Sequence, residues 1–204
     1  MTDAGRKLKR DAQKAGPGRT EIRLTGVGGQ GVVLAGTILG RAAAIYDELN
    51  AVLTKEYGSD MRGGDVSTDL VLSGEKIVYP TVLAPDVMVT LAPRAFENNK
   101  KWLRDGVRLV YDAGLVHFEK GDLPKGCKAL GVPFTALADG TFHRTDVANM
   151  VFLGFFTGVV RLLTADAVRK ALADLLPPRK EKGPDVNLQA FELGLKEGEA
   201  FSHE

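Results

Sequence analysis

Apolar and polar positions alternate from Ile22 through Arg23, Leu24 and Thr25 to Val27, a period of two that predicts a first strand over residues 22–27. The period then changes. Residues 32–45 carry apolar side chains at helical spacing with ample alanine, so the turn Gly28-Gly29-Gln30-Gly31 joins strand to helix. Residues 51–54 read as a second strand, which makes a βαβ opening. A polar, glycine-bearing loop follows at 56–64, and then two strand-like runs at 66–72 and 76–79 around Ser73-Gly74-Glu75. A connection that short predicts an antiparallel hairpin inserted in the pattern.

Further strands are predicted at 86–91, 108–112 and 127–132, with a helix over 93–103 that starts on Pro93, a residue favoured in the first helical turn. Beyond Pro133 the chain turns helical, at 145–163, at 164–176 with Thr164 as cap, and at 188–201 after a Pro/Lys-rich link at 177–184. The segment 147–160 is strongly apolar and holds Gly154 and Gly158 in a G-x-x-x-G. It is too short, and too interrupted by Asn149 and Thr157, to span a bilayer. A buried helix whose glycines admit close packing is expected. The whole reads as an α/β fold with a doubly wound, mostly parallel, Rossmann-like sheet, an inserted antiparallel hairpin and C-terminal helices. Residues 1–19 form a basic, mobile tail and 20–204 a single domain.

Composition narrows the chemistry. The 204 residues hold 27 Lys+Arg against 26 Asp+Glu, so nothing drives the chain electrostatically toward nucleic acid or membrane. One cysteine, Cys127, excludes a disulfide framework and any self-sufficient thiolate-ligated zinc or iron–sulfur site. His117, His143 and His203 are scattered, so no metal site is expected. His117-Phe118-Glu119 spells the H-x-E of zinc deaminases, but the P-C-x-x-C partner is missing. A lone reduced thiol, with neither signal peptide nor spanning helix, points to the cytoplasm. Glycine is the compositional anomaly: 24 residues make about 12%, against about 7% in average proteins.

Gly26-Val27-Gly28-Gly29-Gln30-Gly31 satisfies G-x-G-x-x-G between a strand and a helix. Bare backbone there lets N–H groups approach a diphosphate, aided by the helix dipole; the competing reading is tight strand–helix packing alone. NAD requires a carboxylate at the end of the second strand, where this chain has Lys55 followed by Glu56. A ligand with an extra ribose phosphate suits that better, either NADPH or the 3′-phospho-ADP part of coenzyme A. Gly31 to Thr37 mimics a P-loop without its Lys, which argues against ATP hydrolysis.

Gly-x-Gly-Gly-Gln-Gly-Val-Val at 26–33, Tyr57-Gly-Ser-Asp-Met-Arg62-Gly-Gly64, Pro80 and Pro85-Asp86 together closely resemble the gamma subunit of 2-oxoacid:ferredoxin (acceptor) oxidoreductases. The resemblance covers residues 21–200. It implies a subunit rather than a complete enzyme, with thiamine diphosphate on alpha and beta partners and iron–sulfur clusters on beta, delta or other chains. Electrons would leave to ferredoxin or another acceptor while the acyl group passes to coenzyme A, which the gamma chain helps to receive and cover. No G-D-G…N thiamine-diphosphate signature occurs here. Carried onto this chain, Gly28, Gly29, Gln30 and Gly31 would meet the coenzyme A diphosphate. Lys55, Ser59 and Arg62 would meet its remaining phosphate or a neighbouring subunit. No catalytic residue is assigned. Tyr57 is expected to pack its ring on the sheet, and Asn149 to cap a helix or bond internally. The alternatives are a freestanding NADP(H)-binding reductase or nucleotide sensor, and an interaction module whose glycines serve packing only. The 2-oxoacid stays open, with 2-oxoglutarate or an aryl-glyoxylate preferred on chain size.

Overall fold

The computed structural model describes residues 18–58, 64–176 and 185–201. The tail up to residue 17, Ser59, Arg62 and the link at 177–184 lie outside the described residues. Strands β1 (Thr20–Val27), β2 (Asn50–Tyr57), β3 (Asp65–Ser73), β4 (Val87–Thr90), β5 (Arg108–Asp112) and β6 (Lys128–Val132) form one sheet in the order β2-β3-β1-β4-β5-β6. β1, β4, β5 and β6 are parallel neighbours, whereas β3 runs antiparallel to both β1 and β2. β2 therefore points the same way as β1 with β3 wedged between them. The sheet is mostly parallel and the antiparallel hairpin is present.

The hairpin's partners differ from those expected. β3 pairs with β2 across the 58–64 connection, and residues 76–79 form no strand. They are held instead by side chains: Arg19 donates to the carbonyls of Tyr79 and Thr81, and Glu21 accepts the amides of Leu83 and Ala84 at 2.7 and 2.9 Å. Burial by itself would raise the Glu21 carboxyl, but the Ala84 amide, Arg19 and the Leu83 amide outweigh it and hold the group below its ordinary 4.5. A depressed carboxylate contributes stability above its unfolded pKa, and loses it as pH falls through the folded value. Glu21→Gln is thus expected to be less stable than wild type at pH 7, the difference closing below about pH 4. Urea unfolding at both pH values measures it, and a gap that persists in acid would contradict the linkage.

Helix α1 (Val32–Arg41) follows β1 and ends in a π-turn at Ala42–Tyr46; α2 (Pro93–Asn99) follows β4 and ends in a 3₁₀ turn. They lie on opposite faces. On α1's side, Ile22, Leu24, Leu70, Leu72, Val87, Val89 and Val110 join the main core. On α2's side, Met88 and Leu109 pack with Phe96 and Trp102. That second face also buries an ion pair, Arg23 with Asp69, beneath Trp102. The main core is completed by α3 (Phe134–Phe142), α4 (Ala148–Val160), α5 (Ala165–Leu175) and α6 (Val186–Phe201). Thr164 does cap α5, accepting the Ala167 amide.

Of the 13 residues of α4, 11 are buried, because α6 covers it along a seam of glycines. A Cβ on Gly154 would fall 1.9 Å from the Phe191 carbonyl oxygen, and one on Gly194 only 1.8 Å from that of Val151. The G-x-x-x-G of α4 is therefore matched by Gly194 and Gly198 on the last helix of the same chain. Helix α3 was not expected from local pattern. Its start is held by Asp112 at the end of β5, which accepts both the amide and the hydroxyl of Thr135.

Candidate functional site

β1 hands over to α1 through the glycine turn, and two devices hold it. The Gln30 carboxamide accepts the Val27 amide at 2.9 Å and donates to the Leu91 carbonyl at 2.8 Å, tying the turn to the end of β4. The Gly28 amide donates to the Gly64 carbonyl at 3.0 Å, tying it to the start of β3. Gly29 and Gly31 take φ of 97° and 70°, the left-handed region where a side chain is strained. A Cβ on Gly31 would also meet the Asn149 Nδ2 at 2.1 Å.

These bonds divide the four expected diphosphate residues. Gln30 and Gly28 position the turn, with their donors committed. The amides of Gly29 and Gly31 have no partner among the described residues, nor do the first three of α1, which an α-helix leaves unpaired. Unpaired N–H groups at a helix start favour an anion, the more so as the dipole adds partial positive charge. Two glycines thus supply donors, and the other two residues fix where they sit.

The place in the topology is informative. From β1 the chain crosses on one face toward β2, and from β4 on the opposite face toward β5, so the sheet reverses its winding between β1 and β4. Ligands in open α/β sheets bind outside the strand ends at such a point. Two cavities flank the turn here and share Gly29. One, of about 610 Å³, lies between the start of α1, the end of β2 and the start of β3, with Val33, Thr37 and Tyr57 among its walls. The other, of about 320 Å³, lies over the ends of β4 and β5, under the start of α4.

Two expectations need correction. Tyr57 does not pack on the sheet: its ring is 67% exposed at the rim of the larger cavity, because β2 is an edge strand with nothing beyond it. Lys55 does not stand beside the turn. It pairs with Thr68, which pairs with Leu24, so it lies two strands away, about 10 Å across the sheet, and three residues below the end of β1. That placement also removes the ground for NADP(H) discrimination by Lys55, since the intervening β3 occupies the second-strand position. The residue of β3 opposite Val27 is Asp65, a carboxylate whose position in the ladder only the pairing reveals. It faces α2, where Asn98 donates to it and Arg94 stands 3.4 Å away. Ser59 and Arg62, outside the described residues, belong to the 58–64 connection, whose ends Gly58 and Gly64 both line the larger cavity.

The smaller cavity is chemically different. Asp112, almost fully buried, is satisfied by the Gly114 amide at 3.0 Å and by the Thr135 amide and hydroxyl at 3.0 and 2.7 Å. Asp146 pairs with Arg144, whose guanidinium holds the carboxyl below its usual range against a small opposing effect of burial. Asn149 is neither a cap nor internally bonded. Val147 occupies the N-cap of α4, and the Asn149 carboxamide lines the cavity with no hydrogen bond among the described residues. At 9% exposure the residue is largely buried, while its polar atoms are not sealed from solvent. Burial pushes the Cys127 thiol up, which keeps it protonated and a poor nucleophile. No group of three or more His, Cys, Asp or Glu among the described residues could hold a metal ion.

The model for pyruvate ferredoxin/flavodoxin oxidoreductase matches residues 21–197. The chain belongs to this family. The 2-oxoglutarate synthase subunit KorC of Methanocaldococcus jannaschii is 39% identical over 179 residues, 87% of this chain and 93% of its own length. A keto/oxoacid ferredoxin oxidoreductase gamma subunit from Geobacter sulfurreducens superposes with a TM-score of 0.74 at 29% identity, covering 89% of this chain and 99% of that one. A 2-oxoglutarate:ferredoxin oxidoreductase from Magnetococcus marinus, solved with 2-oxoglutarate, coenzyme A and succinyl-CoA, gives 0.78 at 25% identity over 90% of this chain. Only 32% of that longer chain is covered, so the same unit occurs both alone and within a larger polypeptide. The resemblance carried by the two glycine motifs is borne out.

Proposed function

We propose that the chain is the gamma subunit of a coenzyme A-acylating 2-oxoacid oxidoreductase, with 2-oxoglutarate as the substrate class. The overall reaction would turn 2-oxoacid, coenzyme A and oxidised acceptor into acyl-CoA, CO₂ and reduced acceptor. This chain's part is to hold coenzyme A by its diphosphate on the free amides of Gly29 and Gly31 and the start of α1, and to cover the site where the thiol reacts. The observation that carries this reading is the set of unpaired donors at the switch point of the sheet in a chain of this family.

Thiamine diphosphate supplies the decarboxylation chemistry on alpha and beta partners, and iron–sulfur clusters carry electrons on other chains. With Cys127 alone, this chain lacks the thiolates that a cluster needs. Ser59 and Arg62 would reach the 3′-phosphate from the 58–64 connection, Arg62 by its bidentate fork. Lys55, farther down the same edge, is assigned to a neighbouring subunit. We place residues 20–204 in one domain, and the complex in the cytoplasm with ferredoxin as acceptor. No described helix is long and apolar enough to cross a membrane.

Coexpression with and without this chain, read as coenzyme A-dependent and 2-oxoglutarate-dependent reduction of ferredoxin, tests the reading. Omission should abolish acyl-CoA formation. Gly31→Ala in the intact complex should raise the KM for coenzyme A at least about tenfold and leave that for 2-oxoglutarate unchanged. Full activity in the chain's absence would sink the proposal.

A further inference from the structure

Coenzyme A has two arms on either side of its diphosphate, and the glycine turn has a cavity on either side. We infer that Asn149 is a specificity-determining residue which recognises an amide of the pantetheine arm in the smaller cavity. This inference rests on the coenzyme A reading above and adds a direction to it. Asn149 is more than nine-tenths buried, lines the cavity and has no partner among the described residues. Its carboxamide sits against the Cα of Gly31, beside the free amides. A carboxamide can both donate and accept, so it can bond whichever edge of a trans secondary amide faces it, giving its N–H to the C=O or its C=O to the N–H.

The surroundings assign the arms. The ionisable side chains lining the smaller cavity are both carboxylates, Asp112 and Asp146, the second paired with Arg144, so the lining offers a phosphate no cation of its own and suits a neutral arm better. Thr135 and Thr145 add hydroxyls, while Leu91 and Leu115 supply apolar wall for methylene and methyl groups. The larger cavity instead offers the exposed Tyr57 ring, an unoccupied face on which a purine can stack. Adenosine therefore goes toward Tyr57 at the end of β2, and pantetheine toward β5 and α4. The thiol then emerges over the end of β5.

Calorimetry on the full-length chain decides this with two probes: coenzyme A, and 3′-phosphoadenosine 5′-diphosphate, which is coenzyme A without the pantetheine arm. Asn149→Leu should weaken coenzyme A about tenfold, some 1.4 kcal/mol, and leave the shorter probe unchanged. An equal loss with both probes, or an unchanged coenzyme A affinity, overturns the inference. In wild type, the Asn149 side-chain amide resonances should move markedly further on adding coenzyme A than on adding the shorter probe. Resonances that respond alike to both would also overturn it, whether or not the leucine variant folds. A wild type that binds both probes beside an unaffected variant removes only this inference, whereas one that binds neither removes the coenzyme A reading as well.

Discussion

Gly194→Ala should destabilise the protein by about 3 kcal/mol or more, a large part of the roughly 5–15 kcal/mol that keeps a domain folded. The added methyl has nowhere to go. Its carbon would lie 1.8 Å from the Val151 carbonyl oxygen, and both are backbone, so no side chain can move aside. The helices α4 and α6 must separate, and the buried phenylalanines between them lose their packing. Phe155 and Phe191 are both fully buried at this seam, so the cost is shared by the core. Gly140 in α3 provides the internal control, since a Cβ there would meet nothing within 4 Å. Gly140→Ala should stabilise by about 0.5–1 kcal/mol, through the lower backbone entropy of the unfolded chain. Chemical denaturation of both variants gives the comparison. A Gly194→Ala protein within about 0.5 kcal/mol of wild type would mean that the close approach is not required.

Asp69→Ala should cost a similar amount, about 3–5 kcal/mol, by leaving the Arg23 guanidinium buried without its carboxylate. Arg23 donates from Nε at 2.7 Å and from Nη2 at 2.6 Å to the two oxygens of Asp69, and its Cζ lies 4.1 Å from the centre of the Trp102 ring. Both side chains are under 10% exposed. Replacing the pair together, as Arg23→Met with Asp69→Leu, should recover most of the loss, because desolvation of two charges offsets much of their attraction. Urea unfolding of the single and double variants measures the coupling directly. Additive losses would show that the two residues do not act as a unit.

That ion pair marks one limit of what the chain discloses. The alternation through Ile22, Arg23 and Leu24 reads as one buried and one solvated face, and the structure buries both, since α2 and Trp102 cover the side that carries Arg23. Period alone says that the two faces differ, not that both are covered. The glycine turn, the six strands save for the misplaced hairpin partner, and the capping by Thr164 were legible because each depends on near neighbours. α3 was not, because the amide of its second residue, Thr135, is satisfied by Asp112, 23 residues back. At the site, local motif located the turn but not the division of labour within it. Gln30 looked like a ligand residue, yet its amide reaches to Leu91, 61 residues on. Asn149 looked like a cap, and its free carboxamide appears only once α4 is laid over Gly31. An Asn that opens a strongly apolar helix, too far inside to cap it, was the available signal.

The wedged position of β3 also sets an order of events. β1 and β2 are separated in sequence by α1 and would pair first in an ordinary βαβ unit, but here they never touch. β2 and β3 are joined by a seven-residue connection, 58–64, whereas β1 meets β3 only after a loop of 37 residues, 28–64. Closing the short loop costs less entropy, so the β2–β3 ladder can form early and dock as a ready-made ribbon on β1. Docking brings Gly64 to the Gly28 amide and so closes the turn. The unpaired amides of Gly29 and Gly31 thus sit in a turn that is fixed only once the ribbon has joined β1, and a contact that grips the ribbon's outer strand would bear on that turn from a distance.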